Sequence, residues 1–211
     1  MEGDSVKQNK KKVALIVGLV LLLTLAGAVG TWAFFTREAI ATNVITTGTV
    51  EMELYEMQDE NGELKEYPNE PIGNVMPGLS VSKIPYIENV GTQPFWTRAK
   101  VTVTILGADG QPLPTEVEGV EMVSVNVDGE AWLLKDGWYY YTAPLNPGED
   151  GHGDSVRLFT EASFAPEMGN AYQGCHVEID VQAQAVQTKN NPIPAGGDVT
   201  DIPGWPAEKS E

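Results

Sequence analysis

The sequence predicts an all-β protein, an antiparallel β-sandwich or jelly roll that follows an N-terminal signal helix. Every clear hydrophobic periodicity after the first 35 residues repeats every two residues, which is the period of a half-buried strand. Asn-Gly and Asp-Gly pairs and frequent prolines separate these periodic segments, as in chains of short strands joined by tight turns. Strands of this length and spacing are typical of sandwiches and jelly rolls.

Residues 1–33 have the three parts of an export signal. Three lysines at 10–12 precede an apolar run at 13–25, and the small-residue segment that follows ends at Ala33. Signal peptidase requires small side chains one and three residues before its cut, so we expect cleavage between Ala33 and Phe34. The alternative is a retained membrane anchor, because residues 13–35 are long enough to span a bilayer. In both cases we expect the rest of the chain outside the cytoplasm, secreted or at the cell surface.

Residues 34–47 form a predicted N-terminal arm, a candidate donor strand that precedes the β-sandwich domain at 48–187. The arm carries apolar side chains that could fill the groove of a partner sheet: Phe34, Phe35, Ile40, Val44 and Ile45. Within the domain, the alternation predicts strands at 50–55, 79–84, 94–106, 120–127, 132–134, 138–141, 155–164 and 176–187. Turns are predicted at Asn61-Gly62, Asp128-Gly129 and Asp136-Gly137, the second of which would join 120–127 and 132–134 as a hairpin. Pro85 marks an edge or an end of its strand.

The segment 188–211 is rich in Pro and Gly and has few apolar residues. This composition predicts a largely disordered tail. The tail lacks the Leu-Pro-x-Thr-Gly signal of wall-sorted proteins, so we do not expect covalent attachment to a cell wall.

The charge and the cysteine count exclude several classes of function. The chain has 13 basic and 30 acidic residues; four lysines and two acids fall within 1–33, so 34–211 carries nine basic and 28 acidic residues, a net charge of −19. Such a surface repels nucleic acid and anionic lipid, so neither is an expected partner. Cys175 is the only cysteine, which excludes a disulfide scaffold and predicts a buried, inert thiol or, alternatively, an intermolecular bridge.

Candidate catalytic and metal-binding residues are few. The only histidines, His152 and His176, lie in different segments, and the His-Glu-x-x-His motif of zinc proteases is absent, so we expect neither a zinc site nor enzymatic activity. Cys175 precedes His176 directly, and neighbours on a strand point to opposite faces, which argues against a catalytic dyad. Weak calcium candidates lie in an acidic, Gly-rich loop that otherwise is a solvated turn: Asn146, Glu149, Asp150 and Asp154.

An ordered set of segments resembles the TasA/camelysin family of secreted bacterial proteins. The segments span most of 30–187 and comprise 30–36, 47–52, Met76-Pro77-Gly78, 88–92, 95–101, 136–141, 144–149 and Tyr172-Gln173-Gly174. Two departures are Arg37-Glu38, where the resemblance leads us to expect an acidic residue directly after Phe-Phe-Thr, and the tail after Gln187, which has no counterpart. The resemblance implies a jelly roll and processing by a dedicated signal peptidase of the endoplasmic-reticulum type. For TasA-like members it implies biofilm-matrix fibres, in which an N-terminal strand completes the sheet of the next subunit.

The favoured hypothesis is therefore a secreted structural subunit that assembles by strand addition once its signal is cleaved. Self-association and the signal peptidase are the expected interactions, and an accessory matrix protein that nucleates or anchors the fibre is an open question. One alternative is a secreted, camelysin-like metalloendopeptidase, which would require His152 or His176. Another is a membrane-tethered monomeric adhesin or binding domain, which would keep its leader.

Overall fold

The computed structural model of the chain describes residues 50–68 and 76–206, and these residues form an all-β fold of antiparallel sheets. The predicted signal helix, the cleavage site Ala33/Phe34 and the arm at 34–47 lie outside the described residues. No helix within the described part is long and apolar enough to cross a membrane. The strands are β1 (Met52–Glu60), β2 (Glu63–Glu66), β3 (Ser80–Ser82), β4 (Ile84–Asn89), β5 (Phe95–Leu106), β6 (Pro112–Leu113), β7 (Glu116–Val117), β8 (Val120–Glu121), β9 (Val123–Val125), β10 (Trp132–Lys135), β11 (Trp138–Tyr141), β12 (Ser155–Arg157), β13 (Glu161–Phe164) and β14 (His176–Gln187). Two 3-10 turns follow at Asn170–Tyr172 and Val199–Asp201.

The strands form three sheets and one short ribbon. Sheet I has the order β12-β4-β1-β2, and sheet II has the order β10-β11-β5-β14, with β6 added at the end of β5. Sheet III has the order β3-β13-β9, and β7 pairs with β8. All of the pairings are antiparallel.

Two of the three two-residue hairpins in the described residues are those that the turn chemistry predicts; the third, Glu118-Gly119 between β7 and β8, was not predicted. Asn61 and Gly62 join β1 to β2 with φ of 58° and 88°, and Asp136 and Gly137 join β10 to β11 with φ of 52° and 77°. Both central positions of such a turn need positive φ, which Asn, Asp and Gly tolerate best. Both turn predictions are confirmed.

The longest strands, β5 and β14, pair along their whole length. Phe95 lies opposite Gln187 at one end and Leu106 lies opposite His176 at the other. The bounds of β14 agree with the predicted strand at 176–187, because alternation over twelve residues leaves little freedom of register. These two strands form the centre and one edge of sheet II.

The predicted hairpin between 120–127 and 132–134 is wrong. β9 pairs with β13, and β10 pairs with β11, so these neighbouring segments belong to different sheets. A turn in which Trp132 N donates to Asp128 O at 2.9 Å redirects the chain at this point.

Three segments that were predicted as single strands are each divided between two sheets, and one of them, 120–127, contributes β8 to the ribbon and β9 to sheet III. Residues 79–84 contribute β3 to sheet III and the start of β4 to sheet I, and Pro85 is the second residue of that interior strand. Residues 155–164 contribute β12 to sheet I and β13 to sheet III. The alternation is interrupted at each of these two crossings, at Lys83-Ile84 and at Leu158-Phe159, but the interruption alone does not identify the next partner strand.

The main core lies among side chains from sheets I, II and III. Its most buried members include Ile87 on β4, Ala99 on β5, Trp132 on β10, Ala162 on β13 and Ala183 on β14. Because each strand alternates its side chains between two faces, only one face of sheet II contributes to this core. A second, smaller cluster covers the other face of sheet II.

The prediction of a disordered tail from Thr188 is wrong for residues 188–206. Val199 and Ile202 are buried in the second cluster, beside Trp138, Tyr140 and Val186 of sheet II. The 3-10 turn Val199–Asp201 is closed by a capping box in which Asp198 accepts from Thr200 N and Asp201 accepts from Asp198 N. Two buried apolar residues of the segment, Val199 and Ile202, hold it in place because they pack against Trp138, Tyr140 and Val186 of sheet II.

Candidate functional site

The acidic loop does not gather its candidate calcium ligands. The Oδ2 atom of Asp154 accepts hydrogen bonds from Asn146 N at 3.0 Å and from Asn146 Nδ2 at 2.8 Å, so one candidate is satisfied by another. Glu149 and Asp150 lie exposed at the tip of the loop. Within the described residues, no group of three or more His, Cys, Asp and Glu side chains is placed to hold a metal ion.

The two histidines lie beside different carboxylates. His152 Nδ1, in the acidic loop, lies 2.9 Å from Glu88 Oε1 of β4, and His176 Nε2 lies 3.7 Å from Glu178 Oε1 at the start of β14. The two imidazoles thus lie beside different carboxylates, one in a loop and one in sheet II. This arrangement gives the metalloendopeptidase alternative no ligand set to build on in the described part.

Cys175 lies at the wall of a cavity of about 330 Å³ that Met76, Met168 and Tyr172 also line. The thiol is free and half-buried, and burial raises its pKa above the ordinary value. A raised pKa lowers the fraction of reactive thiolate. The environment therefore favours the inert-thiol interpretation over a nucleophile.

The acidic loop is anchored by a buried asparagine that the sequence analysis missed. Asn89 is fully buried at the end of β4; its Nδ2 donates to Gln93 O at 3.0 Å and to Leu145 O at 2.9 Å, and its Oδ1 accepts from Gly91 N at 3.0 Å. Asn89 thereby joins the 88–92 and 144–149 segments.

Two glycines let the two sides of the acidic loop approach each other closely. A Cβ on Gly148 would lie 1.9 Å from His152 O, and one on Gly153 would lie 2.3 Å from Asn146 O. Gly153 N also donates to Asn89 O at 2.9 Å, and Asp154 O accepts from Asn89 N at 3.0 Å. The loop is thus a tightly packed corner between sheets I and II.

A buried lysine marks the point where the chain passes from β3 to β4. Lys83 is 1% exposed, forms an ion pair with Glu56 and places its Nζ 4.5 Å from the centre of the Tyr67 ring. The alternation put Lys83 on the same face as Val81, but no sequence signal identified its partners. The pair stabilises the junction of sheets I and III and has no evident chemical role.

The most extensive candidate interaction surface is the outer edge of β14. Within residues 50–68 and 76–206, β5 is the only strand that pairs with β14, and it lies on one side. Thr188 N donates to Pro94 O at 3.1 Å, and this bond shows which residues of β14 are hydrogen-bonded to β5. In an antiparallel pair successive residues direct their backbone groups alternately to the two sides. The even-numbered residues of β14 therefore bond to β5, and the odd-numbered ones direct N–H and C=O outward.

The residues that direct backbone groups outward are those whose side chains enter the core. They are Val177, Ile179, Val181, Ala183 and Ala185. The edge ends at Gln187, whose carbonyl accepts a hydrogen bond from Asn191 Nδ2 at 2.8 Å. Between these limits lie five donor–acceptor pairs for which the described residues supply no strand partner, although Val181, Ala183 and Ala185 are at most 5% exposed.

β1 has a shorter edge of the same kind. Val90 N donates to Glu51 O at 3.1 Å, so the odd-numbered residues at the start of β1 bond to β4. The backbone groups of Met52 and Leu54 therefore point away from β4. Tyr67 N already bonds to Glu56 O, and β2 covers the rest of the strand from Met57. The edge of β14 is longer and is the stronger candidate.

Comparison of the chain with protein-family models, with curated proteins and with solved structures found no match in any of the three.

Proposed function

We propose that this protein is a secreted structural subunit of an extracellular, biofilm-matrix type of fibre, with a jelly-roll β-sandwich that is completed by a strand from a neighbouring copy. The observation that carries the proposal is the outer edge of β14. Unpaired N–H and C=O groups in a row attract another strand, and proteins usually shorten, twist or cover such edges. This edge is long, and its core-facing side chains are small or β-branched.

The donor in this proposal is the arm at 34–47 of another copy. Arg37 and Glu38 are its only charged residues, so its net charge is zero, whereas 34–211 as a whole carries −19. A neutral, apolar arm can approach an acidic subunit more readily than the rest of the chain can. Cleavage between Ala33 and Phe34 would release the arm from the membrane, so that assembly follows export.

Strand addition of this kind derives affinity from main-chain hydrogen bonds and specificity from alternate side chains. Each new hydrogen bond contributes about 0.5–1.5 kcal/mol net. The five outward-facing residues of β14 and the apolar side chains of the arm therefore supply enough stabilisation for a stable contact, provided that the arm is already extended. The acidic surfaces oppose this contact, and salt weakens the opposition.

The decisive experiment is hydrogen exchange on β14 in two forms of the protein. In a chain of residues 48–211, which lacks the arm, we expect the even-numbered amides of β14 to be protected and the odd-numbered amides from Val177 to Ala185 to exchange rapidly. In fibres of residues 34–211 we expect both sets to be protected. Rapid exchange of the odd-numbered amides within fibres would refute strand addition at this edge.

A matched pair of proline substitutions tests the same edge by a different measurement. Val181→Pro removes an outward N–H and should block fibre growth while the subunit still folds, since proline is tolerated where an edge N–H faces solvent. Gln182→Pro removes an N–H that bonds to β5 and should unfold the subunit. The proposal fails if Val181→Pro assembles at the wild-type rate, if 34–211 stays monomeric at every salt concentration, or if 48–211 still forms fibres.

A further inference from the structure

The face of sheet II that points away from the main core is covered by the chain's own C-terminal segment, residues 188–206, here named the C-terminal strap. Trp138, Tyr140 and Val186 of the sheet are buried together with Val199 and Ile202 of the strap. Further half-buried side chains pack against this cluster: Trp96, Leu133 and Trp205. The strap thus fills an aromatic groove across β11, β5 and β14.

Arg98 of β5 forms the floor of this groove. Its side chain is 6% exposed, and its guanidinium carbon lies 4.3 Å from the Trp138 ring centre and 5.2 Å from that of Trp205. Its Nε and Nη2 donate to Gln184 Oε1 at 2.9 and 2.7 Å, and Nη1 donates to Tyr140 Oη at 2.9 Å. A planar guanidinium is suited to this combination of stacking and directed donors.

The strap contributes one main-chain acceptor to the same guanidinium. Arg98 Nη2 donates to Pro206 O at 2.6 Å. Trp205 Nε1 donates to Val199 O at 3.1 Å, so the indole closes the strap on itself while its ring lies over Arg98 and edge-on to Tyr140. The groove therefore contacts the strap through one aromatic ring, one carbonyl and the apolar Ile202.

The fit of the strap depends on a glycine. A Cβ on Gly204 would lie 2.0 Å from Asn191 Oδ1 and 2.9 Å from Val186 Cγ2. The sequence Ile202-Pro203-Gly204-Trp205-Pro206 thus turns at Pro203-Gly204, in close contact with Val186 and Asn191.

The connection between β14 and the docked part of the strap is exposed. Residues 192–198 are all exposed and include two prolines and two adjacent glycines. Before this connection Asn191 bonds to Trp96 Nε1 and to Gln187 O, and the connection itself separates that contact from the docked residues that begin at Val199. The same groove contacts can then form with the strap of another molecule at little additional cost.

We propose that the outer face of sheet II is a binding groove for an Ile-Pro-Gly-Trp-Pro segment, and that the strap of a second copy can replace the chain's own strap in it. This contact is independent of the N-terminal arm and uses side chains on the face of the sheet. It would link neighbouring subunits through their C-terminal segments.

The first test uses a labelled synthetic peptide of residues 197–211 and the full mature chain, followed by fluorescence anisotropy. Trp205→Ala weakens the chain's own strap, so we expect it to bind the peptide roughly thirtyfold more tightly than the wild type does, the factor typical of losing an interface tryptophan. Ile193→Ala, in the exposed connection, is the matched control and should bind as the wild type does. A folded Trp205→Ala chain that binds the peptide no more tightly than the wild type would overturn the proposal.

The second test is complementation between two variants. Trp205→Ala keeps an intact groove but a defective strap, and Arg98→Gln keeps an intact strap but a defective groove. In chains of residues 48–211, which lack the arm, an equimolar mixture should form a heterodimer in sedimentation velocity, whereas each variant alone should stay monomeric. Arg98→Lys replaces Arg98→Gln if the latter fails to fold, because it keeps the charge but loses the planar set of donors.

A mixture that stays monomeric, with both variants folded, would rule out exchange of straps between copies. The peptide assay reads binding at the groove and not fibre growth. Its failure therefore bears on the groove alone, and failure of the hydrogen-exchange experiment bears on strand addition alone.

Discussion

Substituting Asn89 by alanine should be among the most destabilising single changes in the corner between sheets I and II. The side chain is fully buried and makes three hydrogen bonds, all to main-chain groups: Gln93 O, Leu145 O and Gly91 N. Leu145 O also accepts from Phe95 N at 3.1 Å and would keep that partner. Asn89→Ala therefore leaves the buried Gly91 N and the half-buried Gln93 O without their asparagine partner.

The expected loss of unfolding free energy is about 3–4 kcal/mol. Each buried group left unsatisfied costs about 1–3 kcal/mol, and the removed amide adds a small cavity term. Asn126 provides a matched control, because it also makes three hydrogen bonds, two from Thr160 N and Glu161 N to its Oδ1 and one from its Nδ2 to Thr160 Oγ1, but it is exposed. Water can replace those bonds, so Asn126→Ala should cost only about 1 kcal/mol.

Guanidinium unfolding followed by circular dichroism measures both variants against the wild type. We expect the Asn89→Ala midpoint to fall by several times the shift seen for Asn126→Ala, with unchanged slopes of the transitions. For a domain of this size, the thermal midpoint should fall by roughly 6–14 °C for Asn89→Ala. Equal losses for the two variants would show that burial does not decide the strength of this anchor.

Three further predictions concern charge and titration. Fibre growth of residues 34–211 should accelerate as the salt concentration rises from about 0.01 to 0.15 M, where the screening length falls from about 30 to 8 Å; growth that slows with added salt would contradict the role given to the charge of −19. Because burial raises the pKa of the Cys175 thiol, iodoacetamide should modify the native chain at pH 8 more slowly than the unfolded chain, and equal rates would contradict this. Lys135 donates to Asp201 Oδ1 at 3.0 Å, which lowers the pKa of Asp201 below its ordinary value of 3.8. The pair therefore stabilises the strap above pH 3.8, and this stabilisation is lost as the pH falls through the lowered pKa of Asp201. Protection of the Val199 amide against exchange should fall over that pH range in the wild type. In Asp201→Asn the protection should depend less on pH.

The parts of the fold that the sequence predicts are those determined by local chemistry. β5 and β14 alternate over twelve residues, and the Asn61-Gly62 and Asp136-Gly137 turns need positive φ, so both kinds of element follow from short stretches of sequence. The all-β class follows from the same features. The N-terminal arm remains a prediction from the sequence.

The parts that escape prediction depend on which sheet a strand joins. Residues 79–84 and 155–164 each pass from one sheet to another, and the break in alternation at Lys83-Ile84 or at Leu158-Phe159 does not say which strand comes next. The assignment of β9 to β13 rather than to β10 is a long-range choice that no local turn signal determines. Of the candidate site residues, the acidic loop was located correctly, but the hydrogen bonds between Asn146 and Asp154 depend on a corner that Asn89 builds from distant segments.

Arg98 shows why the strap was missed. In the alternation of β5 it falls on the face opposite the main core, together with Trp96 and Lys100, which is the pattern of a solvated face. The observed burial of Arg98 arises only because a segment more than 90 residues later lies across it. The aromatic residues Trp138 and Trp205 carried the only sequence signal, since a Trp-rich face on a predicted strand needs a cover.

The geometry of β14 allows strand addition and strap docking to occur on the same subunit without competition. The proposed donor strand uses the outward backbone groups of Val177 to Ala185, whereas the strap packs against side chains on the opposite face, above all Val186. In the described residues the two contacts meet at Gln187, whose carbonyl already accepts a hydrogen bond from Asn191 Nδ2 of the strap. The strap therefore limits the length of the added strand at one end without covering the edge. A fibre that used both contacts would join each subunit to its neighbours once through the edge of sheet II and once through its face.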